Sequence, residues 1–104
     1  MSTRLPVKDP AESRVVTFDF SKEATSVSSP ACTCTVYWPA AGDPSPAAVL
    51  SGQPQVNGSN PAQVFQLVTG GLDVNDYALR CVALDQNGYP VVVAAILPVR
   101  KQPA

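Results

Sequence analysis

Eleven prolines spread through 104 residues leave few windows in which a helix can form, because proline lacks a backbone N–H and its ring collides with the preceding helical turn. Between them stand runs of valine, threonine and aromatic residues, whose branched or flat side chains suit a pleated sheet. The two helix-compatible stretches, Ala11 to Ser13 and Lys22 to Thr25, are too short to carry a packing face with a 3.6-residue period. The chain is therefore expected to be all β, with the prolines punctuating strands.

Residues 1–13 contain Pro6 and Pro10 and no alternation, which predicts an extended N-terminal arm, dispensable for folding and available to a neighbour. From Arg14 the period of two begins. Val16, Phe18 and Phe20 share one face of a first strand. Cys32, Cys34, Val36 and Trp38 share one face of a second, with Thr33 and Thr35 opposite. Ala47–Gly52 and Gln53–Gly58 read as two short, edge-like strands, the latter closing on an Asn57-Gly58 turn. In Ala62–Val68 the mixed alternation does not reveal the inward face. Tyr77, Leu79, Cys81 and Ala83 line one face of a strand that turns through Asn87-Gly88 into a last strand, Tyr89–Val99.

About seven strands at short spacing predict a single antiparallel sandwich of immunoglobulin or fibronectin-III type over residues 14–100, followed by a tail at 101–104. Tyr77 follows a Gly-Gly and an Asp as it enters the penultimate strand. It is placed either as a tyrosine corner, its phenol bonded to upstream backbone, or as a half-buried core tyrosine. The last strand is apolar on both faces: Val91, Val93, Ala95, Leu97 and Val99 on one, Val92, Ala94 and Ile96 on the other. Both faces need cover, from the arm or from another subunit.

Composition narrows the function. Charged residues make up 14% of the chain, against roughly 25% in typical soluble domains, and a domain so poor in charge suits an assembly better than free diffusion. Seven Lys and Arg against eight Asp and Glu, without a basic stripe, argue against a nucleic-acid partner. No stretch approaches the roughly 18 apolar residues of a membrane span, and the opening residues lack the apolar run of a secretory signal. The expectation is a cytoplasmic product.

Histidine is absent, which removes the commonest general base and metal ligand. No Gly-x-Ser-x-Gly elbow or helix-opening Gly-rich loop occurs. No catalytic residue, cofactor, metal or small-molecule substrate is therefore expected. Cys32, Cys34 and Cys81 do not have zinc-site or Cys-x-x-Cys spacing. Either Cys32 or Cys34 can face Cys81 across the core, beside Trp38, as in the inter-sheet bridge of antibody domains. In a reducing cytosol the buried free thiol is the expected state.

Several short motifs carry a resemblance: Leu5-Pro6-Val7-Lys8-Asp9-Pro10 with Glu12, Val15 to Ser21 (Val-Val-Thr-Phe-Asp-Phe-Ser), Leu50-Ser51-Gly52, Gln66 to Gly71, Tyr77-Ala78-Leu79-Arg80, and Ile96-Leu97-Pro98-Val99. In this order they resemble a family of small tailed-phage proteins described as fiber-tail adaptor proteins. The chain departs from that family between Asp73 and Asp76 and in its cysteine pair. The resemblance implies an immunoglobulin-like domain of the virion that joins fibres to the tail or head-tail region. Its partners would be other virion proteins (tail, fibre or connector subunits) and copies of itself, in an oligomeric assembly. A capsid decoration protein and a carbohydrate-binding or adhesive sandwich are the alternatives, with Tyr37 and Tyr89 as outward aromatics for the latter. Candidate partner-binding residues are Leu5, Val7, Lys8 and Asp9 in the arm and Val92 and Ile96 on the last strand. Phe18, Phe20, Trp38, Tyr77 and Cys81 are the candidate structural residues. Truncating Phe18 or Tyr77 to alanine is expected to destabilise the fold by about 3–5 kcal/mol in urea titration.

Overall fold

The computed structural model describes residues 2–39 and 41–101. The tail expected at 101–104 lies, beyond Lys101, outside the described residues. Seven strands follow one another: β1 (Ser2–Arg4), β2 (Ser13–Asp19), β3 (Val27–Trp38), β4 (Leu50–Asn57), β5 (Asn60–Thr69), β6 (Asn75–Asp85) and β7 (Pro90–Val99). The helical content of the described residues is a 3₁₀ turn at Pro46–Val49.

Two sheets face each other, β1-β7-β6-β3 and β2-β5-β4. The neighbours β2-β5-β4 and β3-β6-β7 are antiparallel pairs, in the order of the B-E-D and C-F-G strands of an immunoglobulin-like sandwich. The alternation written in the sequence decides which side chains fill the space between them. Val16, Phe18 and Phe20 from the β2 side and Val64 and Val68 from β5 pack against Tyr77, Leu79 and Cys81 of β6 and Leu97 and Val99 of β7. Each large side chain so buried contributes roughly 1.5–3 kcal/mol. In β5 the inward face proves to be Ala62, Val64, Gln66 and Val68. Gln66 interrupts this row with its amide nitrogen satisfied, Nε2 donating to the carbonyls of Ser51 (3.2 Å), Gly52 (3.3 Å) and Leu67 (2.9 Å), while its buried Oε1 accepts from no group among the described residues.

The two short strands expected between Ala47 and Gly58 are instead one 3₁₀ turn and one strand. Pro46 sets the turn over Ala47 and Ala48, and β4 then runs from Leu50 to the expected turn at Asn57. A shift of register between Ser51 and Gln55 lets the single edge strand absorb Gly52 and Pro54. The Asn87-Gly88 hairpin is present: Gly88 takes φ +83°, and the Asp85 carboxylate accepts from the amides of Asn87 and Tyr89, both at 2.9 Å.

Trp38 corrects the inward assignment. The pairing Val36 to Tyr77 is followed by Trp38 to Asp76, so β3 carries one extra residue there. Such a bulge turns the next side chain to the other face of the sheet. Trp38 is accordingly 53% exposed, on the outer face with Asp76, just before a cis Trp38–Pro39 peptide.

The arm corrects a second expectation. β1 pairs with β7 in parallel, Ser2 to Ala94 and Arg4 to Ile96. Leu5 N–H donates to Ile96 at 2.8 Å, Lys8 N–H to Pro98 at 2.9 Å, and Arg100 N–H to Lys8 at 2.9 Å. Lys8 is fully covered and its Nζ donates to Gly70 O (2.7 Å) and Asp9 O (3.0 Å). Two carbonyls thus replace the water that a buried ammonium loses. Residues 2–8 are extended, as expected, but they form the last strand of a sheet and its continuation. Deleting residues 1–9 is expected to lower stability by at least about 2 kcal/mol, or a Tm by roughly 10 °C; an unchanged melting curve would return the segment to the status of a free arm.

Candidate interaction surface

One end of the sandwich is tied by polar side chains. The β5–β6 connection crosses between sheets through Gly70 and Gly71, at φ +65° and +92°. A Cβ on Gly71 would also press on the Tyr77 ring and on Val99, both at 3.2 Å, so both conformation and space select glycine. The close approach lets the Tyr77 hydroxyl accept from Leu72 N–H at 2.8 Å. The phenol is therefore a tyrosine corner, and it is fully buried rather than half-buried. It also donates to Asp43 Oδ2 at 2.8 Å, and Asp43 N–H donates to Asn75 Oδ1 at 3.0 Å. On the outer face beside it, the buried Asp76 carboxylate lies 3.1 Å from Arg4 and 3.0 Å from Arg100.

None of these groups forms a nucleophile–base pair. Among the described residues no three Cys, Asp or Glu side chains converge as metal ligands, and no helix is long and apolar enough to cross a membrane. The polar cluster is explained by its structural work: it joins the arm, the β5–β6 crossing, the β3–β4 connection that carries Asp43, and the end of β7.

The surface that is left uncovered is the outer face of the β1-β7-β6-β3 sheet. Register places Ala31, Val82 and Val92 in one row, Thr33, Arg80 and Ala94 in the next, and Thr35, Ala78 and Ile96 in a third. Six apolar side chains around Thr33, Thr35 and Arg80 make a band that water meets directly at Ala31 and Val92 and partly at Ala78, Val82 and Ala94. The arm does not cover it, because β1 occupies the edge of β7 and not its face.

The expected partner-binding residues divide accordingly. Val92 is 41% exposed on this face. Ile96 belongs to the same face but is buried at 8% exposure, and Leu5 packs against the core. Lys8 is buried and tied to Gly70. These three are corrected: they hold the chain's own first strand to its last. Val7 is exposed, whereas Asp9 closes a turn by accepting from Ala11 N–H at 2.8 Å and Glu12 N–H at 3.0 Å. Of the structural residues, Phe18, Phe20, Tyr77 and Cys81 are buried and Trp38 is not. Val82 and its register partner Ala31 complete this face, Val82 pointing outward by the same alternation that points Cys81 inward. Asp43 could not be found from sequence, since its partner lies 34 residues away.

No protein-family model, curated protein or solved structure matches the chain.

Burial, and then the Asp43 carboxylate, push the Tyr77 phenol up to about 12 from its ordinary 10.0, with Leu72 N–H pulling the other way. Burial, with Asp43, likewise pushes Cys34 up to about 12 from 9.0. Both groups keep their protons longer in the folded chain than in the unfolded one. Their contribution is thus complete below about pH 9 and is lost as pH rises toward 12. Urea unfolding across that interval is expected to show a steady decline. Tyr77→Phe should start about 1–3 kcal/mol lower, with Asp43 and Leu72 N–H unpaired, and decline less. A flat profile for the unaltered chain would contradict the assignment.

Proposed function

We propose that the chain is a non-enzymatic structural protein of a tailed-phage virion, joining fibres to the tail or head-tail region through protein–protein contacts. The observation that carries the reading is the apolar outer face of the β1-β7-β6-β3 sheet, which the fold itself leaves open. A contiguous apolar band on a domain with 14% charged residues is suited to burial against another protein. The ordered motifs from Leu5 to Val99 that resemble fiber-tail adaptor proteins supply the setting, and a virion would supply the partners.

Exposed Tyr37 and Trp38, adjacent at the end of β3, favour a second reading as a carbohydrate-binding module, because sugar rings stack on aromatic faces. Glycan-array binding that Trp38→Ala abolishes would select it. Head decoration differs from tail attachment by copy number, which quantitative mass spectrometry of purified particles measures.

The adaptor reading makes a specific demand on the outer face. Val82→Lys combined with Val92→Glu, opposite charges on register partners, is expected to reduce incorporation into particles at least tenfold, on the order of 1.4 kcal/mol or more in binding, with Tm nearly unchanged. Normal incorporation of the double variant would overturn the assignment of this face.

A further inference from the structure

Cys32 and Cys81 are direct register partners on the adjacent strands β3 and β6. Their Cα atoms are therefore about 4.5 or 5.5 Å apart, whichever kind of antiparallel pair they form. A disulfide takes Cα separations of roughly 4.4–6.8 Å. The inter-sheet arrangement expected from sequence is corrected by the same pairing: all three cysteines belong to one sheet, so no bridge crosses the core. Cys34 faces Leu79. From Cys32 it lies two residues along the same strand, where side chains run parallel instead of converging.

We propose that Cys32 and Cys81 are a redox-modification site, closing reversibly into an intramolecular cross-strand disulfide when a low-molecular-weight disulfide such as oxidised glutathione is the oxidant. β3 is an edge strand, and Cys32 on it is half-buried whereas Cys81, on the central strand β6, is fully buried. Cys32 is thus the sulfur the oxidant reaches. Its thiolate attacks one sulfur of the oxidant, forming a mixed disulfide and releasing one thiolate. Cys81 then passes its proton to solvent and attacks the Cys32 sulfur, releasing the second. Two protein thiols are oxidised and one small disulfide is reduced to two thiols. The division of roles agrees with the coupling of the two neighbouring thiols, which holds Cys32 below its ordinary thiol value and, with burial, Cys81 above it. The bridge fastens an edge strand whose sheet pairing is to β6 alone and closes a loop of about 50 residues.

This inference does not depend on the virion reading, and its test uses the free chain. The native protein is incubated with oxidised glutathione and then denatured in acid, the remaining thiols are alkylated in denaturant, and peptides are mapped by mass spectrometry without reduction. The expected result is a linked Cys32–Cys81 peptide pair, alkylation of Cys34 alone, and a monomer whose Tm is higher by at least about 5 °C until dithiothreitol is added. Cys34→Ala should behave in the same way, and Cys32→Ala should not close. Three alkylated thiols, a lasting glutathione adduct on Cys32, a bond to Cys34, or a closed bridge that lowers Tm would each overturn it.

Discussion

The Tyr77 hydroxyl is the point on which the two sheets depend. As an acceptor it holds Leu72 in the β5–β6 crossing, and as a donor it holds Asp43 in the β3–β4 crossing. Both connections pass from one sheet to the other at this end of the sandwich. A single buried side chain on β6 thereby fixes two of the places where the backbone must turn through a region that no strand pairing controls. The glycines ahead of it and Asn75 below it are consequences of that arrangement: Gly71 leaves room for the ring, and Asn75 orients Asp43.

Most of the architecture was legible because period-two alternation is a local signal. Phe18 and Phe20 could be placed from their own neighbours, and so could Tyr77 and Cys81. The failures fall where register or distance decides. Trp38 continues the alternation of Cys34 and Val36 without interruption in the sequence, and only the extra residue opposite β6 reverses it. Lys8 reads as a surface charge because carbonyls that accept from its ammonium include that of Gly70, 62 residues away. Pro6 and Pro10 suggest a free segment, yet proline is compatible with the sheet's outermost strand and its continuation, where one row of backbone groups needs no partner.

The candidate surface was half legible. A last strand apolar on both faces announced that something must cover it, and the structure separates two answers that the sequence had joined. The arm satisfies the edge of β7, its backbone groups pairing with those of Leu5 and Lys8, while the face bearing Val92 and Val82 stays open. Ile96 marks the boundary, being of the open face by register but enclosed by its surroundings. The paired cysteines were equally visible as residues, but whether they met across the core or along the sheet required the strand order.

The pairing of the first strand with the last also bears on how the chain matures. A ribosome releases Ser2 long before Ala94, so the parallel ladder between them cannot form until β7 has emerged. Up to then β6 lacks its central neighbour and the Lys8 ammonium has no Gly70–Val99 corner to enter. Contacts so far apart in sequence slow folding, and they make closure of this sheet a report that β7 has been made. A nascent chain that stops short of β7 would therefore lack the finished outer face, since Val92 and Ala94 are part of it.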